Sequence, residues 1–218
     1  MLRLLDLFCG AGGAAMGYHR AGFEVVGVDV KPQPRYPFTF VQADAMIFPL
    51  AGFDAIHASP PCIRWTALPL TQEQRERHPD LITPLRPRLA ASGLPYVIEN
   101  VPRAPLRGRV LYCGAAMGLK VIVHRGFEVN WPLMSPGCAC PANVTTRHGF
   151  VNRRPRGPLA DGRKAPRRGE DHWRQEAGLA HLTGQSARDA IPPIYTEDIG
   201  GQLRDYLAVC APSAGLWA

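Results

Sequence analysis

The chain repeatedly builds a short apolar run that stops on a polar or chemically special residue. Residues 2–8 end in the turn Cys9-Gly10-Ala11-Gly12-Gly13, residues 24–30 end on Asp29, and residues 38–42 lead to Asp44. Residues 53–58 stop at Ser59-Pro60-Pro61-Cys62, and residues 95–101 close on Glu99-Asn100-Val101. Strand-length runs alternating with helix-length segments specify βαβ units and a mostly parallel sheet. In such sheets ligands bind at the carboxyl ends of the strands. All five runs therefore deliver their special residues to one edge. A later strand is expected at 121–129. The end of the chain, with apolar residues at 199, 203, 206, 207 and 210, reads as an amphipathic closing helix over 198–209. The 218 residues suit one large domain, or one domain with a small appendage.

The first loop is the clearest ligand signal. Glycines between a strand and a helix let backbone approach a bound molecule, and the helix start supplies N–H groups. Asp29, at the end of the next run, is placed to accept the two hydroxyls of a ribose. Gly10-x-Gly12-x-x-Ala15 also fits a loose dinucleotide fingerprint. The loop alone does not separate a nicotinamide cofactor from S-adenosylmethionine. The downstream residues do: a thiol on a stiff Pro-Pro turn and a carboxyl at the end of the fifth run are features a dehydrogenase does not need.

Charge adds a partner. The formal net charge is +7, and residues 147–174 hold nine Arg/Lys against three acids, +6 within 28 residues. Such a cluster suits a polyanion. Residues 133–182 are Gly-, Pro- and Arg-rich, with weak periodicity. No apolar run approaches the roughly 18 residues of a membrane span. The N-terminus meets Asp6 too early for a secretory signal, so no membrane association and a cytoplasmic location are expected. Six cysteines in a chain of this length do not argue for a disulfide framework. Cys138-x-Cys140 with His148 falls one ligand short of a structural zinc site. Cys113, His124 and His172 are the candidates for a fourth ligand, and no structural metal is expected.

Taken together, residues 6–13, Gly27-Val28-Asp29, Gln42-Ala43-Asp44-Ala45, Ser59-Pro60-Pro61-Cys62, 78–82, 95–102, 113–119, 124–128 and 190–200 occur in the order and spacing of a known family. The chain resembles the DNA cytosine-5 methyltransferases, most closely the compact phage-encoded DNA methylases, over residues 1 to about 205 except near 133–180. The resemblance implies a Rossmann-like, doubly wound α/β methyltransferase core from residues 1–132 and 183–218. A small irregular basic subdomain at 133–182 would face DNA. It implies S-adenosylmethionine as cofactor, DNA with a flipped-out cytosine as substrate, a bacterial host cytoplasm and a monomer.

The resemblance also assigns roles. Cys62 is the expected nucleophile on carbon 6 of cytosine, and Glu99 the group bonding the pyrimidine edge at N3 and N4. Arg125 contacts the base. Phe8, Cys9, Gly10, Ala11, Gly12 and Gly13 are expected around the cofactor, with Asp29 at its ribose, Asp44 at its adenine amino group, and Val30 and Ala45 also at the cofactor. Pro61 would sit between cofactor and base, and Asp189 and Ala190 would close the site. Arg64 and Trp65, just after the nucleophile, are expected at the DNA, with Arg153, Arg154, Arg167 and Arg168 on phosphates.

The chain departs from the family pattern in three places. Val123 stands where a second Arg is usual, Ile63 where a Gln commonly follows the Cys, and Arg188-Asp189-Ala190-Ile191-Pro192-Pro193 replaces a Gly-Asn segment. These departures keep open a catalytically weakened DNA-binding homologue, and the charge alone leaves cytosine methylation of RNA open as well.

Overall fold

A computed structural model of the chain describes residues 1–66, 69–119, 123–140, 179 and 190–210. Each of the five runs forms a strand. They are β1 (Arg3–Leu7), β2 (Glu24–Asp29), β3 (Thr39–Gln42), β4 (Ala55–Ala58) and β5 (Tyr96–Asn100). These five pair in parallel in the order β3-β2-β1-β4-β5. Two further strands, β6 (Val110–Cys113) and β7 (His124–Val129), complete a seven-stranded sheet in which β7 runs antiparallel to both β5 and β6. The strand expected at 121–129 is thus β7. The four-residue β6, between Gly108 and Gly114, carries too little apolar periodicity to read from sequence.

Helices cover both faces, as buried parallel strands require. Alternation within the strands divides the core. Leu4, Val25, Ala55 and Val97 join Tyr18, Tyr195, Ile199 and Leu203 on one face. Leu5, Leu7, Val28, Ile56, Ala58 and Ile98 join Ile82, Leu85 and Leu89 on the other. The first face holds α1 (Gly13–Arg20) and the last helix, called α4 here (Pro193–Cys210); the second holds α3 (Ile82–Ala91). A short α2 (Gln72–Glu76) begins with a reciprocal capping box between Thr71 and Gln74. Helix α4 starts five residues before the expected 198, because a proline at the first helical position has no intrahelical N–H bond to lose. It crosses α1 at Gly17, where a Cβ would lie 2.1 Å from both the Pro193 carbonyl and Thr196 Oγ1. Thr196 Oγ1 donates to the Ala14 carbonyl at 2.8 Å, locking the crossing.

Asp6, in the middle of β1, is completely buried. Its Oδ2 accepts from Tyr36 Oη at 3.2 Å, and its Oδ1 has no hydrogen-bond partner among the described residues. Burial, helped by the charge of Asp29, pushes this carboxyl up to about 8 against the pull of the Tyr36 bond. A folded-state value above the unfolded one means the native state holds the proton that the unfolded chain releases. The contribution to stability is complete below about pH 4 and is lost as pH rises toward 8. Asp6→Asn cannot ionise, so its stability relative to wild type should climb by a few kcal/mol between pH 4 and 8, at about 1.4 kcal/mol per pKa unit. Urea unfolding at several pH values tests this; a difference that stays constant with pH would remove the ionisation account.

Candidate active site

The carboxyl ends of β1, β4 and β5, with the start of β7, surround a cavity of about 570 Å³. That volume suits a nucleoside-sized ligand. Its walls include Phe8, Cys9, Gly10, Ala11 and Gly13 from the first loop, Pro61 and Cys62 from the Pro-Pro turn, and Glu99, Arg125 and Ala190. Ten of the residues singled out in the sequence thus meet at one opening. Ser59, Pro60, Ile63, Thr66, Val101, Lys31, Gln33, Ala14 and Ile191 line it as well.

The first loop is tightly self-bonded. Phe8 adopts φ +58°, a conformation that costs a non-glycine residue energy and marks functional loops. Cys9 N–H donates to the Val28 carbonyl at 3.1 Å, and Gly12 N–H donates to the Cys9 carbonyl at 3.1 Å. Gly10 N–H donates to Asp29 Oδ2 at 3.0 Å, while Asp29 Oδ1 accepts from Lys31 N–H at 2.9 Å. Gly10 has φ +49°, and no atom of the described residues lies within 4 Å of where its Cβ would stand, so the wall there is open backbone. Gly12 lies behind that wall, against Tyr36 and Pro37. Asp29 is half-buried and shapes the loop; Val30 beside it is 64% exposed. Asp44 is exposed, with Oδ1 accepting from Met46 N–H at 2.8 Å, and Ala45 is buried in the core. None of Gly12, Asp29, Val30, Asp44 and Ala45 lines the cavity itself.

Glu99 is the electrostatic centre. Its Oε1 lies 3.1 Å from Arg125 Nε, and both side chains are nearly completely buried. Burial pushes the Glu99 carboxyl up to about 7, against the opposing effects of Arg125 and a hydrogen bond from Ser59. Behind it runs a polar chain that the sequence did not reveal. Tyr18 Oη is 3.0 Å from His57 Nδ1, and His57 Nε2 is 2.7 Å from Ser59 Oγ. Burial pulls the imidazole down to about 3, so His57 is neutral. One tautomer satisfies every member: Tyr18 donates to Nδ1, Nε2–H donates to Ser59, and Ser59 donates to Glu99. The apolar spacing of β4 makes His57 look like an ordinary core position; only its neighbour Ser59, next to the prolines, hinted at a polar purpose.

Cys62 is half-buried at the start of a single 3₁₀ turn, Ile63–Trp65, whose Trp65 N–H donates to the Cys62 carbonyl at 2.9 Å. Asn100 Nδ2 donates to the Pro60 carbonyl at 2.8 Å, tying the Pro-Pro-Cys turn to β5 and so to Glu99. Arg64 donates to the carbonyls of Arg75 and His78, and its guanidinium lies over the Trp65 ring, which packs on the core. Both sit beside the cavity without lining it. Asp189, Arg153, Arg154, Arg167 and Arg168 lie outside the described residues, as does most of the basic segment.

Neither a protein-family model nor a curated protein sequence matches the chain. Solved structures do. A candidate DNA modification methyltransferase encoded within an E. coli prophage shares 22% identity over 59% of this chain and 46% of its own, with a TM-score of 0.46. A mutant of Spodoptera frugiperda DNMT2 shares 15% over 68% of this chain and 58% of its own, with a TM-score of 0.45. The chain therefore spans about half the length of these two proteins. The Entamoeba histolytica methyltransferase EhMeth is similar over 95% of this chain and 99% of its own, with 10% identity and a TM-score of 0.56. Sheet order, helix placement and this end-to-end likeness agree: the chain has the Rossmann-like α/β methyltransferase fold.

Proposed function

We propose that the protein transfers a methyl group from S-adenosylmethionine to carbon 5 of cytosine in DNA. The observation that carries the reading is the meeting of Cys62, Glu99 and Arg125 with the self-bonded glycine loop around one cavity. The loop also favours this cofactor over a dinucleotide: three of its amides are spent on internal acceptors and are not offered to a pyrophosphate. Phe8, Gly10 and Ala11 would form the floor for the cofactor, and the free lone pairs of Asp29 and Asp44 would receive its hydroxyl and amino groups. When bound, S-adenosylmethionine supplies an electrophilic methyl group.

The chain's own residues supply the rest. The Cys62 thiolate adds to carbon 6 of cytosine, which makes carbon 5 nucleophilic; after transfer the carbon-5 proton leaves and the thiolate is eliminated. Glu99 in its protonated form donates to N3 and accepts from the 4-amino group, favouring addition at carbon 6. Arg125 holds the carboxyl in place until the base arrives. The target base must leave the duplex to enter such a pocket. Residues 133–182 would carry the DNA phosphates.

Methyl transfer from labelled cofactor to DNA, RNA or dCMP tests the proposal. Label recovered as 5-methylcytosine in DNA is the expected result; label only in RNA or dCMP, or none, would overturn it. A DNA-binding homologue with weak turnover is the second reading. Val123 favours it: the side chain is fully buried and its carbonyl accepts from Tyr195 Oη at 2.7 Å, so this position supplies no second cation.

Glu99 gives the proposal a pH signature. Because the carboxyl is pushed up to about 7, it is protonated below that pH and ionised above it. The kcat/KM for DNA should therefore decline as pH rises through about 7. In Glu99→Gln the side chain keeps a donor and an acceptor but does not titrate. This variant should be slower and should lose that alkaline limb. A variant profile that still falls through pH 7 assigns the limb to another group.

A further inference from the structure

The strands β6 and β7 end beside a second cluster, separate from the cavity. Cys113 closes β6, His124 opens β7, and the two stand directly opposite each other in the antiparallel ladder. The chain then leaves β7, crosses back over β6 and α4, and returns to the same place. Tyr112 Oη and Gln202 Nε2 both donate to the Met134 carbonyl, at 3.1 and 3.0 Å, and Ser135 Oγ donates to the Leu111 carbonyl. Gly137 turns the chain at φ +80°, and Cys138 and Cys140 follow. Both of their thiols reach the His124 imidazole.

The four ligand atoms of Cys113, His124, Cys138 and Cys140 lie within 4.8 Å of one another. Cys113 Sγ is 3.4 Å from Cys140 Sγ, and His124 Nε2 is 3.4 Å from the sulfurs of both Cys138 and Cys140. A disulfide would need about 2.05 Å between sulfurs. A tetrahedral zinc ion, with Zn–S near 2.3 Å and Zn–N near 2.0 Å, sets ligand-to-ligand edges of about 3.5–3.8 Å. The three separations of 3.4 Å lie just below these edges and no pair exceeds 4.8 Å, so small shifts bring all four atoms onto one tetrahedral ion.

We infer that these four residues bind a structural zinc ion. Three thiolates and one imidazole are a donor set that selects zinc and fill all four positions, which leaves none for water or substrate. The ion would tie the β6–β7 pair to the segment that leads into residues 141–178. It would also fix the backbone at His124, whose neighbour Arg125 reaches Glu99. The sequence offered Cys138, Cys140 and His148 with Cys113, His124 or His172 as a fourth ligand, and led to the expectation of no structural metal; the fold joins the thiol pair to both Cys113 and His124, while His148 and His172 lie outside the described residues.

The full chain, purified without chelator, should carry one zinc per molecule by atomic emission. Cys138→Ser and Cys140→Ser should each lose that equivalent. Should those variants fail to fold, wild-type protein stripped of metal and titrated with cobalt(II) serves instead. It should develop thiolate-to-cobalt charge-transfer absorption and the intense visible bands of a tetrahedral ion at one equivalent. Stripping should lower Tm by about 10 °C, restored by zinc. Metal-free wild type that takes up neither zinc nor cobalt, or a disulfide that engages Cys113, Cys138 or Cys140 in untreated protein, would overturn the assignment. None of these readouts depends on methyl transfer, so the site and the proposed activity stand or fall separately.

Discussion

Cys62→Ala should abolish methyl transfer, with a fall in kcat on the order of 10⁴-fold or more, the scale seen when a covalent nucleophile is removed. Affinity for cofactor and DNA should change little. The side chain is small and only half-buried, so its loss leaves the Pro-Pro turn intact, still tied to β5 by Asn100 Nδ2 on the Pro60 carbonyl. The loss therefore belongs to the chemical step and not to binding. A trap reads the same bond directly. DNA carrying 5-fluorocytosine cannot release its carbon-5 substituent after methyl transfer, so the protein should remain attached and migrate as a denaturation-resistant adduct. The alanine variant should form none. Transfer that persists in Cys62→Ala, or an adduct that maps to another cysteine, would remove Cys62 from the mechanism.

The largest effect on stability is expected at Arg86 and Glu128. Arg86 Nε donates to Glu128 Oε1 at 2.6 Å and Nη2 to Oε2 at 2.9 Å, a bidentate pair with both side chains more than nine-tenths buried. The Arg107 N–H also donates to Glu128 Oε2 at 2.7 Å, and Arg86 Nη2 to the Pro105 carbonyl at 2.7 Å. The pair thus joins α3, β7 and the chain leading into β6. Arg86→Met would leave a carboxylate buried with one backbone donor and should cost about 3–5 kcal/mol. The double variant Arg86→Met/Glu128→Leu removes both charges and should recover much of that loss, because the cost lies in the uncompensated charge more than in the lost attraction. Denaturant unfolding of the wild type, the single variant and the double variant tests this. A double variant less stable than the single one would mean that the pair's bonds to the loop carbonyl and amide dominate.

The strands and the Cys62–Glu99 pair were legible in the sequence because their signals are local. An apolar run, a Gly-rich turn and a Pro-Pro turn each declare themselves within about ten residues. A parallel sheet then brings the ends of the runs to one edge, whatever the details. For that reason Phe8, Gly10, Cys62 and Glu99 could be expected together before any coordinates. Nothing in the sequence paired Arg86 with Glu128, 42 positions away, or singled out His57. Their partners depend on which strands are neighbours and in what register, and no short window of sequence carries that information. The cysteines show the division most clearly. Composition supplied six thiols and one close pair. It took the antiparallel register of β6 on β7, with Cys113 opposite His124, and the return of the chain over β6 to gather four ligand atoms at one point. Periodicity and turn chemistry act between near neighbours along the chain, whereas convergence of distant side chains is set by packing. The first was written in the sequence, and the second only the tertiary structure decided.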